Sequence, residues 1–202
     1  MTNTNRIKNM LQMTMLIALV VVLQIVSALI PPIGGVVSFT LTLIPVVVGA
    51  ILFGVRGGAV LGFSFGLIVL INCIAGLDVG GNILWVQNPF LTALICLVKG
   101  TAAGVVPALL YRLVKGEKDT KGRKYVSSLV AALSAPLVNT GLFVCGMLLF
   151  FSETLRVWAG GSDMVSYIFV GLAGINFLVE FTLNVLLTPA MIRIVDVVKD
   201  KK

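Results

Sequence analysis

Residues 39–76 read FTLTLIPVVVGAILFGVRGGAVLGFSFGLIVLINCIAG, and in the whole stretch only Arg56 carries a charge. About 17–25 apolar residues suffice for a helix to cross the hydrocarbon core of a bilayer. The stretch is therefore long enough for two crossings, 39–55 and 57–76, turned at Arg56. Pro45 makes the first of them the shorter and less regular. The same test applied outward finds windows at about 10–30, 89–113, 125–151 and 166–195. The expected architecture is all-α: an integral membrane bundle of six transmembrane helices forming a single domain over residues 1–202.

Composition agrees. Of 202 residues, 58% are hydrophobic and 11% charged, with a mean hydropathy of +1.10, whereas about a quarter of a soluble domain is charged. A soluble fold is excluded. The first window is expected to be a mature helix, because its apolar run is longer than that of a signal peptide and Pro31-Pro32 follows without a small-residue cleavage site. In a soluble chain the net charge of +7 would suggest nucleic acid as a partner. Here the cations flank apolar runs and act as topology signals, so no nucleic acid is expected. With the N terminus in the cytoplasm, the inner segments hold Arg6, Lys8, Arg56, Arg112, Lys115, Lys118, Lys121, Arg123, Lys124, Arg193, Lys199, Lys201 and Lys202. The outer segments hold only Arg156, beside Asp78, Glu153, Asp163, Trp85 and Trp158. Both termini are thus expected on the cytoplasmic side.

Several chemistries are absent. There is no histidine, which removes His-type zinc sites and Ser-His-Asp triads, and no metal site is expected. Cys73, Cys96 and Cys145 lie in or beside apolar windows without C-x-x-C spacing and read as buried packing residues. The polar loop 115–124, KGEKDTKGRK, lacks the spacing and the Lys-Ser/Thr of a phosphate loop, so no catalytic residue and no bound nucleotide or other cofactor is expected. Small residues recur every four positions at Gly54, Gly58, Gly62 and Gly66, and again at Thr92, Cys96, Gly100, Gly104 and Ala108. Such stripes let helix backbones approach closely in lipid.

Polar groups inside the apolar windows mark a candidate site. Lys99 lies ten residues into the fourth window, about 15 Å along its axis, and Glu180 fourteen residues into the sixth, about 21 Å. Asn176 and Asn184 flank Glu180 one turn away on either side. Asn139 and Thr140 follow Pro136, where a missing backbone donor loosens the fifth helix. Two readings stand, a structural Lys99–Glu180 ion pair or a pocket in which Lys99, Asn139, Asn176 and Glu180 meet a ligand; the surrounding amides favour the pocket. At the outer rim the glycine-rich connection 76–88 is expected to be a loop folding over the entrance, with Trp85 as lid and Gln87 and Asn88 as hydrogen-bonding groups.

These features resemble a known family, the substrate-binding S components of energy-coupling factor (ECF) vitamin transporters. The likeness rests on 40–66 (TLTLIPVVVGAILFGVRGGAVLGFSFG), 88–104 (NPFLTALICLVKGTAAG), Asn139-Thr140-Gly141 and 176–190 (NFLVEFTLNVLLTPA), and it covers essentially the whole chain. The resemblance implies a multi-pass protein of a bacterial cell membrane that binds a vitamin or vitamin precursor from outside. It also implies docking on a transmembrane T component with two cytoplasmic ATPases, which use the ATP. In the family a small-residue A-x-x-x-A pattern on the first helix meets the T component; here Thr14 and Ala18 occupy those positions, with Val22 four further on. Lys99 favours a carboxylate-bearing ligand, and Glu180 with the asparagines favours hydroxyls or amides. Pantothenate offers all of these and is the favoured ligand, with riboflavin, folate, a pyridoxine or thiamine precursor and cobalamin remaining open. Two other classes compete: a stand-alone secondary transporter or channel, and an intramembrane enzyme using Lys99 and Glu180 as a proton-transfer pair.

Overall fold

The computed structural model describes residues 3–28, 41–116, 120–172 and 174–200, and of these the side chains of 3–5, 28, 172, 175, 176, 199 and 200 lie outside the description. The described elements are helical: α1 Asn3–Ala28, α2 Leu43–Ala75, α3 Val79–Gln87, α4 Pro89–Lys115, α5 Lys121–Phe150, α6 Ser152–Ala159, α7 Met164–Tyr167 with a π-helical turn Ile168–Leu172, and α8 Gly174–Asp200. Five helices are long and apolar enough to cross a bilayer, within Arg6–Ser27, Leu43–Ala75, Pro89–Lys115, Lys121–Phe150 and Phe177–Val198.

The second of these is not a straight rod. Gly54 has φ 68 and ψ −158, a backbone region that is essentially glycine-only. A Cβ added at Gly58 would stand 3.3 Å from Ala50 Cβ, and one at Gly49 would overlap Leu61. In an unbroken helix those pairs would be about 12 and 18 Å apart, so the chain doubles back at Gly54. The two limbs correspond to the windows separated at Arg56; the described part of the first, 43–53, is about 16 Å long. Nothing lies within 4 Å of a Gly54 Cβ, so a side chain there meets strain and no clash. Gly54→Ala is expected to destabilise the protein by about 1–3 kcal/mol, read as a lowered melting temperature in detergent.

The second limb packs antiparallel on α4 through the two small-residue stripes. A Cβ at Gly66 would press on Cys96 O, and one at Gly100 would come within 2.7 Å of Gly62 O and Gly66 Cα. The helices therefore touch backbone to backbone, which only glycine permits at these positions. Around this seam α1 lies against the hairpin, with Leu16 at Gly49 and Thr42 Oγ1 donating to Gln24 Oε1 at 2.8 Å. α5 packs on α4, with Gly146 against Ile95, and an ion pair joins Lys124 at its start to Asp196 near the end of α8.

These pairings bring Arg56, Arg112, Lys115, Lys121, Arg123, Lys124 and Arg193 to one end of the bundle and Asp78 and Glu153 to the other. Lys118, Lys201 and Lys202, read as topology signals, and Pro31-Pro32 lie outside the described residues.

Three expectations are corrected. The connection 76–88 is no open loop: Gly76 ends α2 at φ 76, Asp78 accepts from Gly81 N at 3.0 Å and thereby caps α3, and Asn88 caps α4 by accepting from Leu91 N at 3.1 Å. Its glycines serve close packing, since a Cβ on Gly81 would overlap Cys73 Sγ. The last long helix begins at Gly174 instead of near 166, because α7 and the π-helical turn precede it; Glu180 thus lies six residues, about 9 Å, from its start. Cys73 and Cys96 are buried as expected, but Cys145 is exposed on α5.

Candidate functional site

Toward the acidic end, the helices leave a cavity of about 870 Å³ including its opening to solvent. Its walls come from α1 (Gln24), α2 (Phe65, Val69, Cys73), the start and inner face of α3 (Asp78, Gly80, Gly81, Leu84), α4 (Thr92, Ile95, Cys96, Lys99), α5 (Asn139, Thr140, Phe143), α6 (Trp158) and α8 (Glu180). Helical periodicity explains the α4 wall: Ile95, Cys96 and Lys99 follow Thr92 by three, four and seven residues and fall on its side of the helix. Asn139 and Phe143, four apart on α5, do the same.

Lys99, Asn139 and Glu180 all line this cavity, although they come from three helices. Lys99 Nζ stands 4.9 Å from the centroid of the Phe143 ring, a cation–π arrangement that keeps a cation tolerable in an apolar wall. Ion pairs join Lys124 to Asp196 and Arg156 to Glu153. Asn139 is 7% exposed, and its Oδ1 has no hydrogen-bond partner among the described residues. An acceptor left so in a dry wall is destabilising by about 1–3 kcal/mol until a donor reaches it. Glu180 is 4% exposed; its own carbonyl accepts from Asn184 Nδ2 at 2.8 Å, and Thr188 Oγ1 donates to Asn184 O at 2.7 Å.

The arrangement suits a small amphiphilic molecule. One cation, one buried carboxamide and one buried carboxylate line it together with the apolar side chains of Phe65, Val69, Leu84, Ile95 and Phe143. A largely apolar wall carrying a few convergent polar groups is the usual form of a small-molecule site. No three metal-ligating side chains cluster among the described residues.

The remaining sequence candidates lie elsewhere. Trp85 is half-buried against the main core and does not line the cavity. Gln87 is exposed and accepts from Thr154 Oγ1 at 2.6 Å, tying α3 to α6. Asn88 is spent on capping α4, and both it and Gln87 border a separate hollow beside Phe151. Asn176 is on the first turns of α8, and its side chain lies outside the described residues. Thr14 and Ala18 are exposed on α1, with the Thr14 hydroxyl bonded back to Met10 O at 3.0 Å.

Sequence reasoning missed Gln24, Asp78, Thr92 and Trp158. Thr92 could have been found by stepping back seven residues from Lys99. Trp158 stands in the sequence only as an outer-segment residue, and its place on the wall follows from α6, a short helix that lays Leu155 into the core and Trp158 beside it.

The family model for "ECF transporter, substrate-specific component" matches residues 8–192. The pantothenic acid transporter PanT of Lactococcus lactis subsp. cremoris (strain MG1363) is 26% identical over 164 residues, 76% of this chain and 75% of the relative. No solved structure matches significantly. With nearly its full length inside the family match, and an all-helical fold surrounding a polar cavity, the chain belongs to the substrate-specific components of ECF transporters, which are membrane transport subunits and not an enzyme family.

Proposed function

We propose that the chain captures pantothenate from outside the cell and delivers it inward together with an ECF T component and two cytoplasmic ATPases. The cavity supports this reading, because its lining includes a group of suitable chemistry for each part of such a molecule. Lys99 would receive the carboxylate, Asn139 and Glu180 the amide and hydroxyls, and Phe65, Val69 and Leu84 the branched methyls. The name of the Lactococcus lactis relative supports the same choice among vitamins. Asn176 stands one turn before Glu180 on α8 and would join this set, while Trp85, Gln87 and Asn88 would shape the rim.

In this reading the bundle is one transmembrane domain of a bacterial plasma membrane. It crosses six times, counting each limb of α2 once, and keeps both termini in the cytoplasm. The gathering of cations at one end supports that orientation by the positive-inside rule. The chain holds no cofactor, and ATP is consumed by the partners. Thr14 and Ala18 lie on a face of α1 whose large apolar side chains, Met10, Leu11, Met15 and Val22 among them, are exposed, and this is the face for the T component.

The test is a thermal-shift screen of the purified chain against a vitamin panel, followed by uptake in cells with and without the ECF partners. Pantothenate is expected to stabilise the chain more than the other vitamins, and uptake is expected to vanish without the ATPases. Stabilisation by another vitamin alone would replace the ligand; uptake undiminished without ATPases would point to the stand-alone transporter.

Trp158 and Trp85 can be told apart in the same assay. Trp158→Ala removes an aromatic wall and is expected to weaken ligand affinity about ten-fold or more, in the range of 1.5–3 kcal/mol for a buried apolar side chain. Trp85→Ala is expected to lower stability and leave affinity within about two-fold once folded protein is counted.

A further inference from the structure

A second hollow lies at the opposite, basic end of the bundle, where α2 doubles back beside the end of α4. It measures about 570 Å³ including its open side and is bounded by the Gly54 bend, Ala50, Ile51, Val55, Ala108, Tyr111, Arg112, Lys115 and Gly116. Its floor is apolar: Ile51 is 5% exposed and Ala108 3%. Its rim is cationic. Arg112 and Lys115 occupy the last turn of α4, and Arg123 reaches across from α5 so that Nη1 would lie 3.7 Å from a Cβ placed on Gly116. In sequence, segment 112–124 contains six basic and two acidic residues. Beside the rim, Leu109 and Leu113 are exposed on α4, continuing the apolar surface toward where the membrane must lie.

We infer that this hollow binds the headgroup phosphate of an anionic phospholipid. Arg112, Lys115 and Arg123 supply the positive rim; Ala50, Ile51, Val55 and Ala108 receive the glycerol and first acyl carbons; the chains leave along Leu109 and Leu113. The pairing of a cationic edge with an apolar floor selects an amphiphile, since a free anion would use only the edge. Basic clefts between membrane helices recognise anionic headgroups in this way, each cation near the surface adding to the attraction. Guanidinium groups suit the task because their planar forks match two phosphate oxygens at once. The inference is independent of which vitamin fills the cavity at the other end.

The experiment is native mass spectrometry of the full chain in neutral detergent, offered phosphatidylglycerol or phosphatidylcholine with the same acyl chains. One phosphatidylglycerol is expected to be retained about ten-fold more strongly than phosphatidylcholine or better. The double variant Arg112→Gln/Arg123→Gln is expected to lose that preference, while Arg156→Gln at the far end keeps it. Should the double variant fold poorly, Val55→Glu sets a carboxylate at the edge of the floor and must abolish the preference as well. Equal retention of the two lipids, or preference surviving both the double variant and Val55→Glu, would overturn the proposal. Displacement of phosphatidylglycerol by millimolar inorganic phosphate would also overturn it and leave a site for free anions only.

Discussion

Gly62→Leu is expected to leave little folded protein. A Cβ at Gly62 would fall onto Gly100 O and stand 3.1 Å from Gly104 N and Thr101 Cα. Every obstacle is backbone, so no rotamer change can make room. Overfilling an ordinary core destabilises by about 1–3 kcal/mol, with side chains giving way; here the two helices must part instead. Parting them opens a seam buried along its length, with Leu61 and Phe65 fully covered, and it also moves the α4 face that carries Thr92, Cys96 and Lys99. Size-exclusion chromatography in detergent should show aggregate in place of a monodisperse peak. Gly141→Leu is the control, because nothing lies within 4 Å of a Cβ at Gly141 and leucine favours helix over glycine by most of a kcal/mol. A monodisperse, ligand-stabilised Gly62→Leu protein would mean that the α2–α4 seam is not packed as described.

Lys99→Met is expected to fold normally and to lose about 10-fold to 150-fold in affinity for a carboxylate ligand. A charge-assisted hydrogen bond contributes roughly 1.5–3 kcal/mol, and methionine keeps much of the stem that lies near Phe143. The decisive comparison uses the neutral alcohol analogue, in which the carboxylate is replaced by a hydroxymethyl group. Wild type should bind the analogue far more weakly than the acid, and Lys99→Met should bind the two almost alike. If the variant kept its preference for the acid, Lys99 would not be the carboxylate's partner, and the ligand would have to be oriented the other way round in the cavity.

How far the sequence disclosed this can be judged from particular residues. The apolar windows located the long helices because their length is a physical requirement of the bilayer. The glycine stripes disclosed the seam because only small residues can occupy it. Lys99, Asn139 and Glu180 stood out because polar groups at such positions need a reason to be there. What was hidden depended on tertiary placement. Trp85 and Trp158 have equally suitable side chains near the same rim, and only the packing of α3 and α6 sets the second, not the first, on the cavity wall. Glycine in 76–88 reads as loop because glycine disfavours helix, yet α3 needs Gly81 to lie against Cys73. Asp78 read as a loop charge, while its capping bond fixes the start of that helix.

The reversal at Gly54 bears on how the protein is made. Its contacts, Gly49 with Leu61 and Ala50 with Gly58, join residues close in sequence, and local contacts form quickly. Gly100 and Gly104 are synthesised some forty residues later. The nascent chain can therefore complete a helical hairpin before its main docking partner has left the ribosome. Biogenesis then becomes ordered, with a preformed wedge waiting in the membrane for α4.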